Sequence, residues 1–259
     1  MKLAVVSPHL DDGVFSLGAT LSALSRSGVD VQLVTVFAGD PQDQGAASFH
    51  DEMRGISTIS AATAARRAED QAASEVLGIT PAWCDNLDSA YLTARDPELV
   101  WKSMSDHLGD ADLILIPGYP LTHYDHSYST LLVLREVHRI PLALYGEIPY
   151  LVTPKMQARG YWSGRRAQVL TGHQRSFGPW LQLCPQERDW ERKRAAVDCY
   201  AGELAALGKL GAAGLAYDRI VRREAVAPQI GESLPEVVTA LKAAPRLRLP
   251  AALRGRAPR

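Results

Sequence analysis

The sequence predicts an α/β protein, with a mostly parallel sheet covered by helices on both faces. Two observations carry that expectation. Short apolar, β-branched runs alternate with helical apolar periodicity over residues 1–150. The polar residues suited to chemistry stand where those runs end. The first run, Lys2 to Ser7, reads as a buried strand. From Gly13 the positions Val14, Leu17, Leu21 and Leu24 recur at helical spacing, and Ser27-Gly28 closes that helix. "VDVQLVTVFAG", from Val29, is the second strand. Asp40 to Ala62 is polar and rich in small residues, a loop of functional length. Thr63 can cap a helix that ends at Gly78, and "PAWCDN" follows as a short strand. Asp96 and Pro97 suit the cap and first position of the next helix. "ADLILIPG" is the clearest buried strand, "DHSYSTLLVLREVHR" a helix with Asp125 placed to cap it, and "PLALYGEIPYLV" a further strand.

Beyond Tyr150 the pattern weakens into a C-terminal extension, residues 151–245. Tyr161, Trp162, Phe177 and Trp180 lie there among Gly, Arg and Pro, suited to a cleft rim or, more plainly, to core packing. "DWERKRAAVDCYAGELAAL" is an amphipathic helix. No Gly-, Pro- or Ser-rich linker divides the chain, so residues 1–259 are expected to form one domain ending in a flexible basic tail, 246–259.

Composition narrows the function classes. With 259 residues, 46% hydrophobic and 22% charged, the chain can bury a substantial core. A formal net charge of −1 provides no field to attract nucleic acid or an anionic membrane. Cys84, Cys184 and Cys199 form no CxxC pair, which argues against a disulfide framework and a thiolate zinc site. Pro8 and His9 interrupt the N-terminal apolar run too early for a signal peptide, and no run is long enough to span a membrane. A cytoplasmic protein is expected. Arginine far outnumbers lysine and alanine is abundant, which suggests a GC-rich bacterial genome.

The chemistry lies in two clusters. "SPHLDD" places His9, Asp11 and Asp12 at the end of the first strand. Adjacent carboxylates repel each other, so a cation is expected beside them. "THYDH" places His123, Asp125 and His126 after the strongest strand. A turn opening a helix can aim His9 and Asp12 at one point, and His126 reaches it from the second strand end. Two histidines and one carboxylate leave a coordination position open, as catalytic zinc requires, and the same set suits Fe(II). Asp11 is then left to act as a base. Singly, each residue has a plainer use as a helix cap or surface histidine; together, at two strand ends of one sheet, they point to a metal site. His50, His107, His138 and His173 have no such company.

An H-x-D-D motif followed far downstream by H-x-D-H resembles the PIG-L/LmbE-like family of zinc-dependent N-deacetylases. "RRAED" from Arg66, "WCDNLDSAY" and "KRAAVDCYAGEL" extend the likeness through about Leu207. The resemblance implies a Rossmann-like sheet with His9, Asp12 and His126 as zinc ligands. It makes Asp11 the general base and His123 the oxyanion-stabilising group, with Asp125 orienting His123 or its helix. Gly13 departs from the acidic residue many members carry there, and Pro8 and Leu10 also differ from the commoner motif.

The implied reaction is attack of metal-activated water on an N-acetyl carbonyl, with Asp11 first taking and then returning the proton. The implied substrate is an N-acetylglucosamine conjugate, such as a thiol-cofactor precursor or a secondary metabolite. Arg66 and Asp88 are candidates for contacts to sugar hydroxyls, a surface salt bridge being the alternative for each. A homo-oligomer is compatible with the sequence. Two rival readings are a non-catalytic sugar-binding or regulatory protein on the same fold, and a binuclear metallohydrolase. The second would need a histidine where Leu121 stands. A dinucleotide-binding protein is disfavoured because the first strand-to-helix turn lacks G-x-G-x-x-G.

Overall fold

A computed structural model describes residues 1–40, 46–91, 94–121, 123–150, 175–209 and 222–242. Tyr161, Trp162, His173 and the tail 246–259 lie outside the described residues. β1 (Lys2–Ser7), β2 (Asp30–Thr35), β3 (Thr80–Trp83), β4 (Leu113–Tyr119) and β5 (Leu142–Gly146) form a parallel sheet. β7 (Ala225–Pro228) runs antiparallel beside β5, and β6 (Leu181–Gln182) antiparallel beside β7, giving the order β3-β2-β1-β4-β5-β7-β6. The C-terminal extension therefore adds two strands to the sheet that the first 150 residues build.

Alternation along β1 explains why its apolar run is continuous. Leu3 and Val5 pack on one side against α1 (Asp12–Arg26), α3 (Ile59–Leu77) and α6 (Glu187–Asp198), through Leu17, Leu21, Leu77 and Val197. Ala4 and Val6 face the other side, where α4 (Pro97–Leu108) and α5 (Tyr124–Glu136) supply Met104, Leu108, Leu132 and Val133. A strand covered on both faces has no polar side to show. Phe177 and Trp180 pack partly buried against this second core, the plainer of the two uses expected of them.

Two helix starts differ from expectation. α3 begins at Ile59, because Thr58 rather than Thr63 is the cap and its hydroxyl accepts from Ala61 N–H at 3.3 Å. Thr63 lies inside the helix, and its hydroxyl donates to the Gly39 carbonyl at 3.3 Å. The polar loop before α3 also holds a short helix, α2 (Phe49–Met53), opened by a Ser48–Asp51 capping box. The cap of α5 is His123, whose ring accepts from Asp125 N–H at 3.3 Å. Asp125 is thus released from the capping duty expected of it.

The order 3-2-1-4-5 makes the junction of β1 and β4 the topological switch point. The chain leaves β1 toward β2 on one side, while β4 and β5 extend the sheet on the other. Successive loops diverge there and open a crevice beyond the strands' carboxyl ends. Both motif clusters fall in that crevice.

Candidate metal centre and active site

The β1–α1 turn is built by its own polar groups. Ser7 Oγ donates to the His9 carbonyl at 2.6 Å and accepts from Gly13 N–H at 2.9 Å. Gly13 leaves no space for a larger residue: a Cβ there would meet Leu33 Cδ1 at 2.5 Å and Ser7 Oγ at 3.3 Å. The room that an acidic side chain would need is filled by the core. Asp11 occupies the cap position of α1, yet its side chain makes no capping hydrogen bond.

Beyond this turn the Asp12 carboxylate lies against both the His9 and the His126 rings. Asp12 Oδ2 lies 3.2 Å from His9 Nδ1 and 3.1 Å from His126 Nε2. Two donors on one tetrahedral zinc, each about 2.0–2.1 Å from it, stand roughly 3.3 Å apart. His126 Nε2 is buried and makes no hydrogen bond despite that proximity. The far nitrogen of each ring faces a carboxylate: His9 Nε2 lies 3.0 Å from Asp125 Oδ2, and His126 Nδ1 pairs with Glu147 at the end of β5. Such outer partners fix ring orientation and leave the inner nitrogen's lone pair for a metal. Two imidazoles and a carboxylate are donors of the kind a divalent ion takes. His9, His123 and His126 also bring ring nitrogens within 4.8 Å of one another, with ring centroids 5.0–5.3 Å apart. His123 differs from the other two because its Nδ1 already accepts from Asp125 N–H.

The electrostatics express the same demand for positive charge. Burial works to lower the pKa of His126, but Asp12 and Glu147 outweigh it and carry the ring up to about 10. Burial likewise opposes protonation of His9, and Asp88, Asp12 and Asp125 overcome it. Burial would lift Asp12, yet His126 and His9 hold it below the usual carboxylate range. Desolvation, then the charges of Asp12 and Glu203, push Asp11 well above its ordinary value. Burial and the neighbouring His9 and His126 bring His123 down to about 4.

The sequence-predicted residues come together with some changes of role. His9, Asp11, Asp12, His123, Asp125 and His126 share the crevice. Asp125 is fully buried and its carboxylate faces His9 rather than the His123 ring, the first of the two uses expected of it. Asp88 Oδ2 is 3.5 Å from His9 Nε2, so this residue borders the site. Arg66 is anchored by Asp51, with Nη2 donating to Oδ1 at 2.6 Å, and Asp51 is fully buried. That pair is no exposed salt bridge, and Tyr91 hydroxyl also donates to Asp51. Glu147, the outer partner of His126, was not foreseen from the sequence. "YGEIPY" offered one signal, a lone acid at the end of a buried strand.

A family model described as GlcNAc-PI de-N-acetylase (PIG-L) matches residues 4–136, just over half of the chain. The chain belongs to the PIG-L family. Among solved structures it is similar to a triple mutant of a deacetylase from the teicoplanin biosynthetic pathway. Identity there is 23% and the TM-score 0.72, covering 90% of this chain and 100% of that one. It is also similar to the A40926 pseudoaglycone deacetylase, at 26% identity and TM-score 0.65, over 90% and 98% of the two chains. A third likeness is to 4-carboxy-2-hydroxymuconate hydratase from Pseudomonas putida KT2440. It shares 16% identity at TM-score 0.55, over 90% and 98%. The curated proteins contain no match. Among the described residues, no helix is long and apolar enough to cross a membrane.

Proposed function

We propose that this protein is a divalent-metal-dependent hydrolase that removes the acetyl group from an N-acetylated amino-sugar conjugate. The observation that carries the reading is Asp12 Oδ2 lying 3.2 Å from His9 Nδ1 and 3.1 Å from His126 Nε2, with the outer nitrogens backed by Asp125 and Glu147. Family membership supports the reaction class. The teicoplanin and A40926 deacetylases support a substrate of the secondary-metabolite type. The hydratase shares the fold, so the fold alone does not choose the reaction; the site residues must.

His9, Asp12 and His126 would hold the ion, zinc being the first choice and Fe(II) the second. Bound there, it would supply Lewis acidity for water and for an amide carbonyl. Asp11 neighbours the ligand Asp12 and spends no oxygen on capping α1. Its role is to accept the proton of the attacking water and return it to the departing amine. His123 keeps Nδ1 occupied as an acceptor from Asp125 N–H, which places the neutral ring's proton on Nε2. That N–H is the donor for the developing oxyanion. Asp88 borders the cleft, and Arg66, held by Asp51, lies within electrostatic reach of it. Both suit contacts to sugar hydroxyls.

The test begins with elemental analysis of untagged protein, followed by a panel of N-acetylglucosamine conjugates assayed for freed amine. About one zinc or iron per chain with amine release is expected. Two metals per chain would favour a binuclear hydrolase. No metal after zinc is added back would overturn the reading in favour of a binding protein.

A further inference from the structure

Arg95 lies between β3 and α4 in sequence and has no part in the reading above, yet its side chain is only 3% exposed. Its guanidinium carbon sits 4.0 Å from the centroid of the Phe37 ring, with Tyr124 and Tyr128 at 5.8 and 5.7 Å. Nη1 donates to Asp125 Oδ1, and Nη2 donates to the Leu87 carbonyl at 2.8 Å. The second oxygen of Asp125 accepts from Ser89 N–H at 3.1 Å and faces His9 Nε2 at 3.0 Å. A cation enclosed by aromatic faces and bonded to a fully buried carboxylate fixes that carboxylate's orientation.

We propose that Arg95 is a positioning residue for the metal centre, acting through Asp125 to hold the His9 ring with Nε2 on Asp125 and Nδ1 turned toward Asp12. The inference rests on the ligand set proposed above. With Oδ1 taken by Arg95, Asp125 has Oδ2 left for His9 and the Ser89 amide. Loss of the guanidinium frees the carboxylate to rotate, and the His9 ring loses the contact that sets its orientation. A lysine would keep the charge. It could not reproduce the planar fork that reaches both Asp125 and Leu87.

The test measures zinc affinity by competition with a chelator, together with the melting temperature of the metal-free protein. Arg95→Gln, Arg95→Lys, Asp125→Asn and the Arg95→Gln/Asp125→Asn double variant are compared with the wild type. Arg95→Gln is expected to weaken zinc binding about 10- to 100-fold, the range for lost outer partners of metal ligands. Arg95→Lys should recover part of that loss. In the Asp125→Asn background, Arg95→Gln should add less than about threefold, because the path through Asp125 is already cut. An equal loss from Arg95→Gln in both backgrounds would overturn the proposal. So would a lowered melting temperature with unchanged zinc affinity, which would make Arg95 a packing residue. If the wild type itself fails to bind zinc, the ligand set falls first, a result distinct from either of these.

Discussion

Two groups of charge lie along the same helix, α1, each built around buried carboxylates, and they follow opposite plans. In its second half the charges close on one another. Lys193 Nζ donates to Glu224 Oε1 at 2.7 Å, and both side chains are fully buried. Glu224 also accepts from Ala19 N–H at 2.9 Å and Thr20 N–H at 2.7 Å. Arg26 meets Asp189 with two parallel bonds of 2.9 Å, and Gln186 N–H adds a third at 3.1 Å. At the N-terminal end the cluster stays open. Acids gather around His9 and His126, one ring nitrogen is buried without a hydrogen bond, and Asp11 sits beside its neighbour's charge. A buried polar group left incomplete costs stability, and a completed one holds elements together. The difference separates an acid-rich cluster at the mouth of the crevice from a clamp between α1, α6 and the start of β7.

Asp11→Asn gives the largest expected effect and tests the open end. Turnover should fall roughly 10²- to 10⁴-fold, the usual contribution of a general base. Metal content should stay at one per chain. Because desolvation and Asp12 destabilise the Asp11 carboxylate, the metal-free variant should melt higher than the wild type. Near-normal turnover would remove Asp11 from the mechanism, and a lower melting temperature would contradict the contrast between the two clusters.

Lys193→Met tests the closed end and should do the reverse. Breaking a buried pair by removing one partner costs about 3–5 kcal/mol, and the two amides that remain on Glu224 favour the lower figure. Urea unfolding at neutral pH measures the loss. Metal content and turnover per folded molecule should be unchanged, since the clamp holds none of the proposed metal ligands. Lost metal with intact stability would show that the clamp serves the site and not the fold.

The same division describes what could be read from the sequence. Strands such as "LAVVS" and "ADLILIPG" were legible because burial on both faces leaves a continuous apolar run. His9, Asp11, Asp12, His123, Asp125 and His126 were legible because each cluster is compact and follows a strand. Arg95 and Glu147 were not. They reach His9 and His126 only through the tertiary path of β5 and of the loop before α4, which leaves no local period or spacing. Helix α2 was hidden by its polarity, although "SFHDE" carries the capping-box spacing. Asp125 was misread as a cap because His123 takes that position with a ring nitrogen, a less common acceptor there. β6 was missed because it has two residues, and β7 because its run of two alanines, one valine and a proline carries a single β-branched residue.

Asp70 sharpens the comparison from a third direction, as a buried carboxylate bonded to neutral donors. It accepts from Trp83 Nε1 at 2.8 Å and from Tyr200 hydroxyl at 2.6 Å, joining α3 to β3 and to the segment after α6. Desolvation outweighs both bonds and pushes its pKa up to about 6. The folded chain therefore keeps a proton that the unfolded chain, with a carboxyl pKa of about 3.9, has already released. Between about pH 4 and pH 6 the folded state binds more protons, so stability contributed here falls as pH rises and stays lost above pH 6. At about 1.4 kcal/mol per pKa unit, the full difference is on the order of 2–3 kcal/mol. In Asp70→Asn the amide oxygen can accept from Trp83 while its N–H₂ donates to the Tyr200 hydroxyl. The variant should match the wild type near pH 4 and gain about 1–2 kcal/mol at pH 7, the repacked amide forfeiting part of the total. Unfolding both proteins in urea at each pH and subtracting cancels the titration of the metal site, which they share. An identical difference at both pH values would mean that Asp70 carries no such proton.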